Sequence, residues 1–141
     1  MSDVLFTSSA TAKNGRNGHV KSSDGLIDFE LVNPSDEKDA NKSNPEQLFA
    51  AGYAACFDGA LNLVASKKKM EIDSTTTADV SLMKDKEDGG FKIGVTLNVE
   101  IHGTNPEEAN TLVQEAHQVC PYSKATRGNV EVKLVSQAVE G

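Results

Sequence analysis

From Phe91 to Ile101 every odd position is apolar (Phe91, Ile93, Val95, Leu97, Val99, Ile101), while Lys92, Thr96, Asn98, Glu100 and His102 point the other way. That two-residue period predicts a half-buried antiparallel strand. Thr75 to Met83 is rich in β-branched residues, and Asp85 to Gly90 has turn chemistry, so the two segments read as a hairpin. Val130, Val132 and Leu134 suggest a closing strand, and the first 32 residues break into two or three short strands at Asn14-Gly15, Asn17-Gly18 and Asp24-Gly25.

Two segments carry helical patterns instead. Asn44 is a good N-cap, Pro45 suits the first helical position and Gln47 completes a capping-box pattern ahead of the apolar run Leu48 to Ala65, broken only by Asp58 and Asn62. Lys67, Lys68 and Lys69 follow where a helix C-terminus attracts cations. This helix reads as buried on nearly every side. Its small residues fall into two stripes, Ala51, Ala55 and Gly59, then Gly52, Cys56 and Ala60, which would let a second helix or subunit approach closely. Asn105-Pro106-Glu107-Glu108 repeats the start signal, and Leu112, Val113, Ala116, Val119 and Cys120 mark one apolar face of a helix over about residues 106 to 119. Strands, long helix, hairpin, helix, strand is the order of an α+β domain, read here as a single domain over residues 1–141.

Charge and length narrow the function. The 141 residues carry 21 acidic against 14 basic side chains, a formal charge of −7, which argues against nucleic acid and against anionic membrane surfaces as partners. Met1 to Phe6 lacks the positive flank and apolar run of a signal peptide, so a cytoplasmic location is expected. The apolar helix could be mistaken for a membrane span, but Asp58 and Asn62 in its second half and two glycines make a central soluble helix the better reading.

The two cysteines, Cys56 and Cys120, stand in settings that suit sulfur chemistry, and in a cytoplasmic protein two cysteines point to catalysis or redox sensing before a structural staple. If the fold brings them together, one can be oxidised and the other can capture the product. The alternative is two small core hydrophobes, the usual state of a buried cysteine. A free thiol is only about a few per cent thiolate at neutral pH, and burial lowers that fraction, so a working Cys56 needs a cation. The chain has two arginines, and Arg16 lies in a glycine-flanked loop that can bend sharply. Arginine stays charged when desolvated and its fork can hold a thiolate and a peroxide oxygen together. Glu46 is a candidate counter-charge, but it sits ten residues (56 − 46) or about 15 Å along the helix from Cys56, and spacing alone favours a charge that merely complements the helix dipole.

Other residues carry weaker signals. His117, Cys120, His102 and Cys56 could assemble a zinc site, but no close ligand pair accompanies Cys56. Asp58 could be a base near Cys56, although residues two apart face different sides of a helix, and a structural hydrogen bond is the better reading. His19 reads as part of a polar turn, Tyr122 and Ser123 as caps after Pro121, and Arg127 as a surface or structural ion-pair residue.

The run Asn44 to Phe57, the run Val119 to Val130, and Gly15-Arg16-Asn17-Gly18-His19-Val20 followed by Ser22-Ser23-Asp24-Gly25 together resemble the organic hydroperoxide resistance (Ohr) branch of the Ohr/OsmC family. The likeness covers essentially the whole chain and has no departure at the motif positions. It implies antiparallel sheets wrapped around two central helices in an intertwined homodimer. It also implies a thiol peroxidase in which Cys56 is the peroxidatic thiolate, Arg16 its activating cation, Glu46 the residue that orients the arginine, and Cys120 the resolving thiol. The implied substrates are alkyl and fatty-acid hydroperoxides. The implied reductant is a dithiol of the dihydrolipoamide type, carried by a lipoylated protein, with no metal or organic cofactor. An apolar pocket lined by residues such as Leu48, Phe49 and Phe57 would favour an alkyl tail. A thiol-based sensor and a non-catalytic lipid carrier are the competing classes. The first lacks an output module, and the second would be indifferent to loss of sulfur.

Overall fold

The structure is a computed structural model that describes residues 3–35 and 41–139. Met1 and Ser2, at the start of the segment read for an export signal, lie outside the described residues. By packing the chain divides into two compact units, Met1–Leu48 and Phe49–Gly141.

The first unit is a three-stranded antiparallel meander of β1 (Ala10–Lys13), β2 (His19–Ser22) and β3 (Asp28–Glu30). The turn between β1 and β2 holds one 3-10 turn, Gly15–Asn17, entered through Asn14 and Gly15, both left-handed at φ 64°. Gly18 closes it, and there a Cβ would stand 1.8 Å from the Lys13 carbonyl oxygen, so only glycine fits. Arg16 is thereby placed on a short, tightly specified turn. Asp24 Oδ1 accepts from the Ser22 hydroxyl and the Leu26 N–H to build the next turn.

Helix α1 (Pro45–Lys67) starts as its sequence requires, with Asn44 Oδ1 accepting the Gln47 N–H at 2.8 Å. The Gln47 side chain does not return the bond to the cap backbone; its Oε1 accepts from the Ser43 hydroxyl at 2.7 Å. At the other end Lys69 adopts φ 57° and the Met70 N–H reaches back to the Ala65 carbonyl, the hydrogen-bond pattern of a Schellman stop. Lys68 pairs with Glu115 at 3.0 Å.

In the second unit β4 (Asp73–Lys84) and β5 (Phe91–His102) form the expected hairpin, and β6 (Glu131–Val139) completes the order β4-β5-β6. The β5–β6 pairing is parallel, Gly94 against Glu131 through His102 against Val139. The physical reason is the connection: β6 is reached through α2 (Pro106–Val119) and α3 (Pro121–Thr126), a crossover that returns the chain in the same direction. β6 runs well past Leu134 because Ser136 and Ala138, weak strand signals, continue its inward face.

The core lies between this sheet and the helices. Val95, Leu97, Val99 and Ile101 of β5 meet Tyr53, Phe57, Leu61 and Val64 of α1 and Leu112, Val113 and Ala116 of α2. Phe91, which the alternation places with the inward set, is 70% exposed at the strand's start. Helix α1 also departs from the expected burial on nearly every side. Its core face is buried, but Ala51, Ala55, Gly59 and Leu63 are exposed on the single chain.

Candidate active site

In the first unit, Arg16 and Glu46 form a two-pronged ion pair, Nη1 to Oε1 at 2.7 Å and Nη2 to Oε2 at 2.9 Å. The fork geometry is the one in which guanidinium and carboxylate match best. The Arg16 hydrogen bonds hold the Glu46 carboxyl below the usual carboxylate range against the opposing effect of burial. Glu46 in turn raises the already high value of Arg16. Glu46 is therefore more than a charge complementing the dipole of α1, the reading that spacing alone favoured: it fixes a guanidinium 30 residues away in sequence.

In the second unit the two sulfurs meet. Cys120 Sγ lies 3.4 Å from Cys56 Sγ, both as free thiols, with Cys56 partly buried and Cys120 fully buried. Cys120 is an elbow, at once the C-cap of α2 and the N-cap of α3, with extended backbone at ψ 123°. Its N–H closes α2 on the Ala116 carbonyl, and Pro121, which has no N–H to lose, opens α3. This short helix was not expected from the sequence, where Tyr122 and Ser123 read only as caps. The Ser123 N–H, in the first turn of α3, goes to Cys120 Sγ at 3.5 Å. Burial pushes the Cys56 thiol above its ordinary value, the Tyr122 N–H pulls it down, and the neighbouring Cys120 pushes it up again.

Around the sulfurs the polar groups are paired. Tyr53 Oη lies 2.8 Å from Ser123 Oγ and 3.1 Å from Thr126 Oγ1, and His117 Nδ1 lies 2.8 Å from Ser123 Oγ. Burial and the positive charge of Arg127 lower the pKa of His117, whose carbonyl accepts from Arg127 Nη1 at 2.6 Å. Arg127 thus binds the backbone and, among the described residues, makes no ion pair of the kind its sequence suggested. Tyr122 lies over Gly52, where a Cβ would come within 3.1 Å of the tyrosine oxygen, and packs with Phe49 and Tyr53 as an aromatic trio. Phe57 is buried entirely in the core, so it cannot line an open cleft.

Asp58 is structural. Its Oδ1 accepts from the hydroxyls of Ser74 at 2.8 Å and Thr76 at 2.9 Å, tying α1 to β4. His19 pairs with Asp28 across the β2–β3 ladder at 2.6 Å. Among the described residues no group of three or more His, Cys, Asp or Glu side chains could hold a metal ion, so the four residues weighed for zinc do not assemble. What the sequence missed is the hydroxyl cluster of Tyr53, Ser123 and Thr126. Its one usable signal is Tyr53, a phenol inside an otherwise apolar helix face, which needs a partner when buried.

An α+β sheet-and-helix unit that presents a close pair of free thiols at a helix elbow defines a thiol-pair class of protein. The OsmC-like protein family model matches residues 37–135. The chain is 59% identical over 132 residues to organic hydroperoxide resistance protein OhrB of Bacillus subtilis, spanning 93% of this chain and 97% of that protein. It is 47% identical over 133 residues to an organic hydroperoxide resistance protein of Xanthomonas axonopodis pv. citri, spanning 93% and 94%. The crystal structure of B. subtilis OhrB superposes with a TM-score of 0.88 at 54% identity, covering 96% of this chain and all of the other. The chain belongs to the Ohr/OsmC family, on its organic hydroperoxide resistance branch.

Proposed function

We propose that the protein is a cysteine-based peroxidase that reduces organic hydroperoxides to alcohols. The Cys56 thiolate attacks the terminal peroxide oxygen; a sulfur–oxygen bond forms, the oxygen–oxygen bond breaks, and the departing alkoxide takes up a proton to leave as alcohol. Cys56 is left as a sulfenic acid. Cys120 then attacks that sulfur, its proton leaving with the hydroxyl as water, and a Cys56–Cys120 disulfide closes. A dithiol of the dihydrolipoamide type, presented by a lipoylated protein, restores both thiols by exchange. Sulfur, oxygen and protons carry every step.

Arg16 is assigned the positive charge that stabilises the thiolate and the peroxide oxygen, with Glu46 orienting its fork. The need is physical: burial raises the Cys56 pKa, and an unaided thiol there would be almost wholly protonated at neutral pH. The bidentate Arg16–Glu46 pair supports the role, because a guanidinium anchored through one edge keeps further donors free. The protein is further assigned to the cytoplasm, where thiols are kept reduced. It is assigned a homodimeric state, which would cover the exposed Ala51, Ala55, Gly59 and Leu63 face of α1.

The observation that carries the reading is the 3.4 Å approach of two sulfurs in a protein whose relatives are named for organic hydroperoxide resistance. The test is consumption of tert-butyl hydroperoxide with a dithiol reductant. Cys56→Ser should abolish turnover, and native-rate consumption by that variant would overturn the proposal and restore the non-catalytic carrier.

A further inference from the structure

Ser123 is fully buried and has no place in the peroxide chemistry, yet three helices meet on it. Its Oγ touches Tyr53 Oη of α1 and His117 Nδ1 of α2, each at 2.8 Å, while its own N–H points at Cys120 Sγ. Tyr53 precedes Cys56 by three residues (56 − 53) and His117 precedes Cys120 by three (120 − 117), so each partner lies about one helical turn below a cysteine on the same side. One hydroxyl therefore joins the two cysteine-bearing helices directly beneath the sulfurs.

The protons of this cluster have one order in which each contact receives its own proton. The Thr126 hydroxyl bonds the Ser123 carbonyl at 3.1 Å, and a carbonyl can only accept. Thr126 Oγ1 then accepts from Tyr53, Tyr53 accepts from Ser123, and Ser123 accepts from His117, which carries its proton on Nδ1. No buried side-chain oxygen or nitrogen among the described residues is left without a partner.

We propose that the Ser123 hydroxyl is a clamp that presents Cys120 to the oxidised Cys56, so that it governs disulfide closure more than peroxide attack; this rests on the peroxidase reading. In the governed step the Cys120 sulfur attacks the sulfur of the Cys56 sulfenic acid. The S–S bond forms, the S–O bond breaks, and the hydroxyl leaves as water with the Cys120 thiol proton. The oxidant is the hydroperoxide already consumed. The sulfurs must close from 3.4 Å to about 2 Å, and an ångström-scale misplacement of reacting atoms slows such a step by about a hundredfold. Ser123, Tyr53 and His117 act through the position of Cys120 and are positioning residues.

The test uses Ser123→Ala in two arms. In the first, stopped-flow with tert-butyl hydroperoxide separates sulfenic acid formation from disulfide closure. Closure should slow at least tenfold more than the first step, and excess peroxide should drive more Cys56 to sulfinic acid, since losing one buried hydrogen bond acts on that scale. In the second arm no peroxide is present, and glutathione redox buffers read the Cys56–Cys120 disulfide equilibrium, which should fall about tenfold. Tyr53→Phe, which keeps the ring, should move both readouts in the same direction and stands in if Ser123→Ala does not fold. His117→Asn, whose amide can donate to Ser123, should keep more of the closure rate than His117→Leu. Native closure in both arms by folded variants, or equal slowing of both peroxide steps, would overturn the clamp. If the native protein makes no sulfenic acid with hydroperoxide, the peroxidase reading fails, and the glutathione arm alone decides the clamp.

Discussion

Cys56 and Cys120 are 64 residues apart in the chain, and their sulfurs lie 3.4 Å apart. The approach is made by the Cys120 elbow, where α2 ends and α3 begins. In the proposed reaction, fixing Cys120 in place gives it a high effective concentration at the Cys56 sulfenic acid.

The first prediction concerns Cys120→Ser. The variant should complete one turnover at close to the native rate of the first step and then stop, with Cys56 progressing to sulfinic acid under excess hydroperoxide. Single-turnover kinetics with mass spectrometry of the Cys56 peptide reads both. Sustained turnover on the dithiol alone would assign resolution to the external reductant.

Arg16→Ala should slow the first step by about tenfold or more, since each pKa unit lost from the thiol is a factor of about ten in thiolate at neutral pH. Arg16→Lys should not restore the rate. A point charge on a flexible stem cannot hold Glu46 through two parallel bonds and still face a thiolate. Ultraviolet thiolate titration of the native protein and both variants gives the Cys56 values directly.

The pH dependence follows from two shifts of opposite kind. Glu46 has its folded value depressed by Arg16, so its contribution to stability is present above the ordinary glutamate value of 4.5 and is lost as pH falls through the lower folded value. The stability gap between native protein and Glu46→Gln should therefore close in acid. Burial and the neighbouring Cys120 raise the folded Cys56 value above 9.0, so the fold keeps that contribution below 9.0 and loses it as pH rises through the folded value. In Arg16→Ala, which lacks the proposed cation, the peroxidase rate should keep climbing with pH beyond 9.0. Denaturation midpoints and a pH–rate profile measure the two.

Asp58→Ala should cost about 1–3 kcal/mol of stability, because the Ser74 and Thr76 hydroxyls lose their acceptor, and should leave the peroxidase rate per folded molecule unchanged. Asp58→Asn, which keeps an acceptor oxygen, should cost less. A large loss of rate with little loss of stability would make Asp58 a base after all.

Much of this molecule is legible in the sequence where one local rule dominates. The odd-numbered apolar positions of β5 and the caps at Asn44 and Asn105 specify a strand and two helix starts through neighbours only a few residues away. The parallel register of β6 is not local. It follows from how α2 and α3 return the chain, and three valines and a leucine cannot encode that direction. Of the site, the cysteines and Arg16 stand out as scarce residue types in suggestive surroundings. The two-pronged grip of Glu46 on Arg16 needs the fold, since thirty residues intervene. Ser123 and Thr126 look like ordinary turn residues until Tyr53 is placed against them.

The most direct test adds one equivalent of an organic hydroperoxide to the fully reduced protein, followed by thiol counting, alcohol quantification and peptide mapping. Two thiols should disappear for each alcohol formed, with Cys56 and Cys120 recovered as one linked peptide pair. Hydroperoxide left unconsumed, or alcohol formed while both thiols remain free, would contradict the redox pairing of these two cysteines.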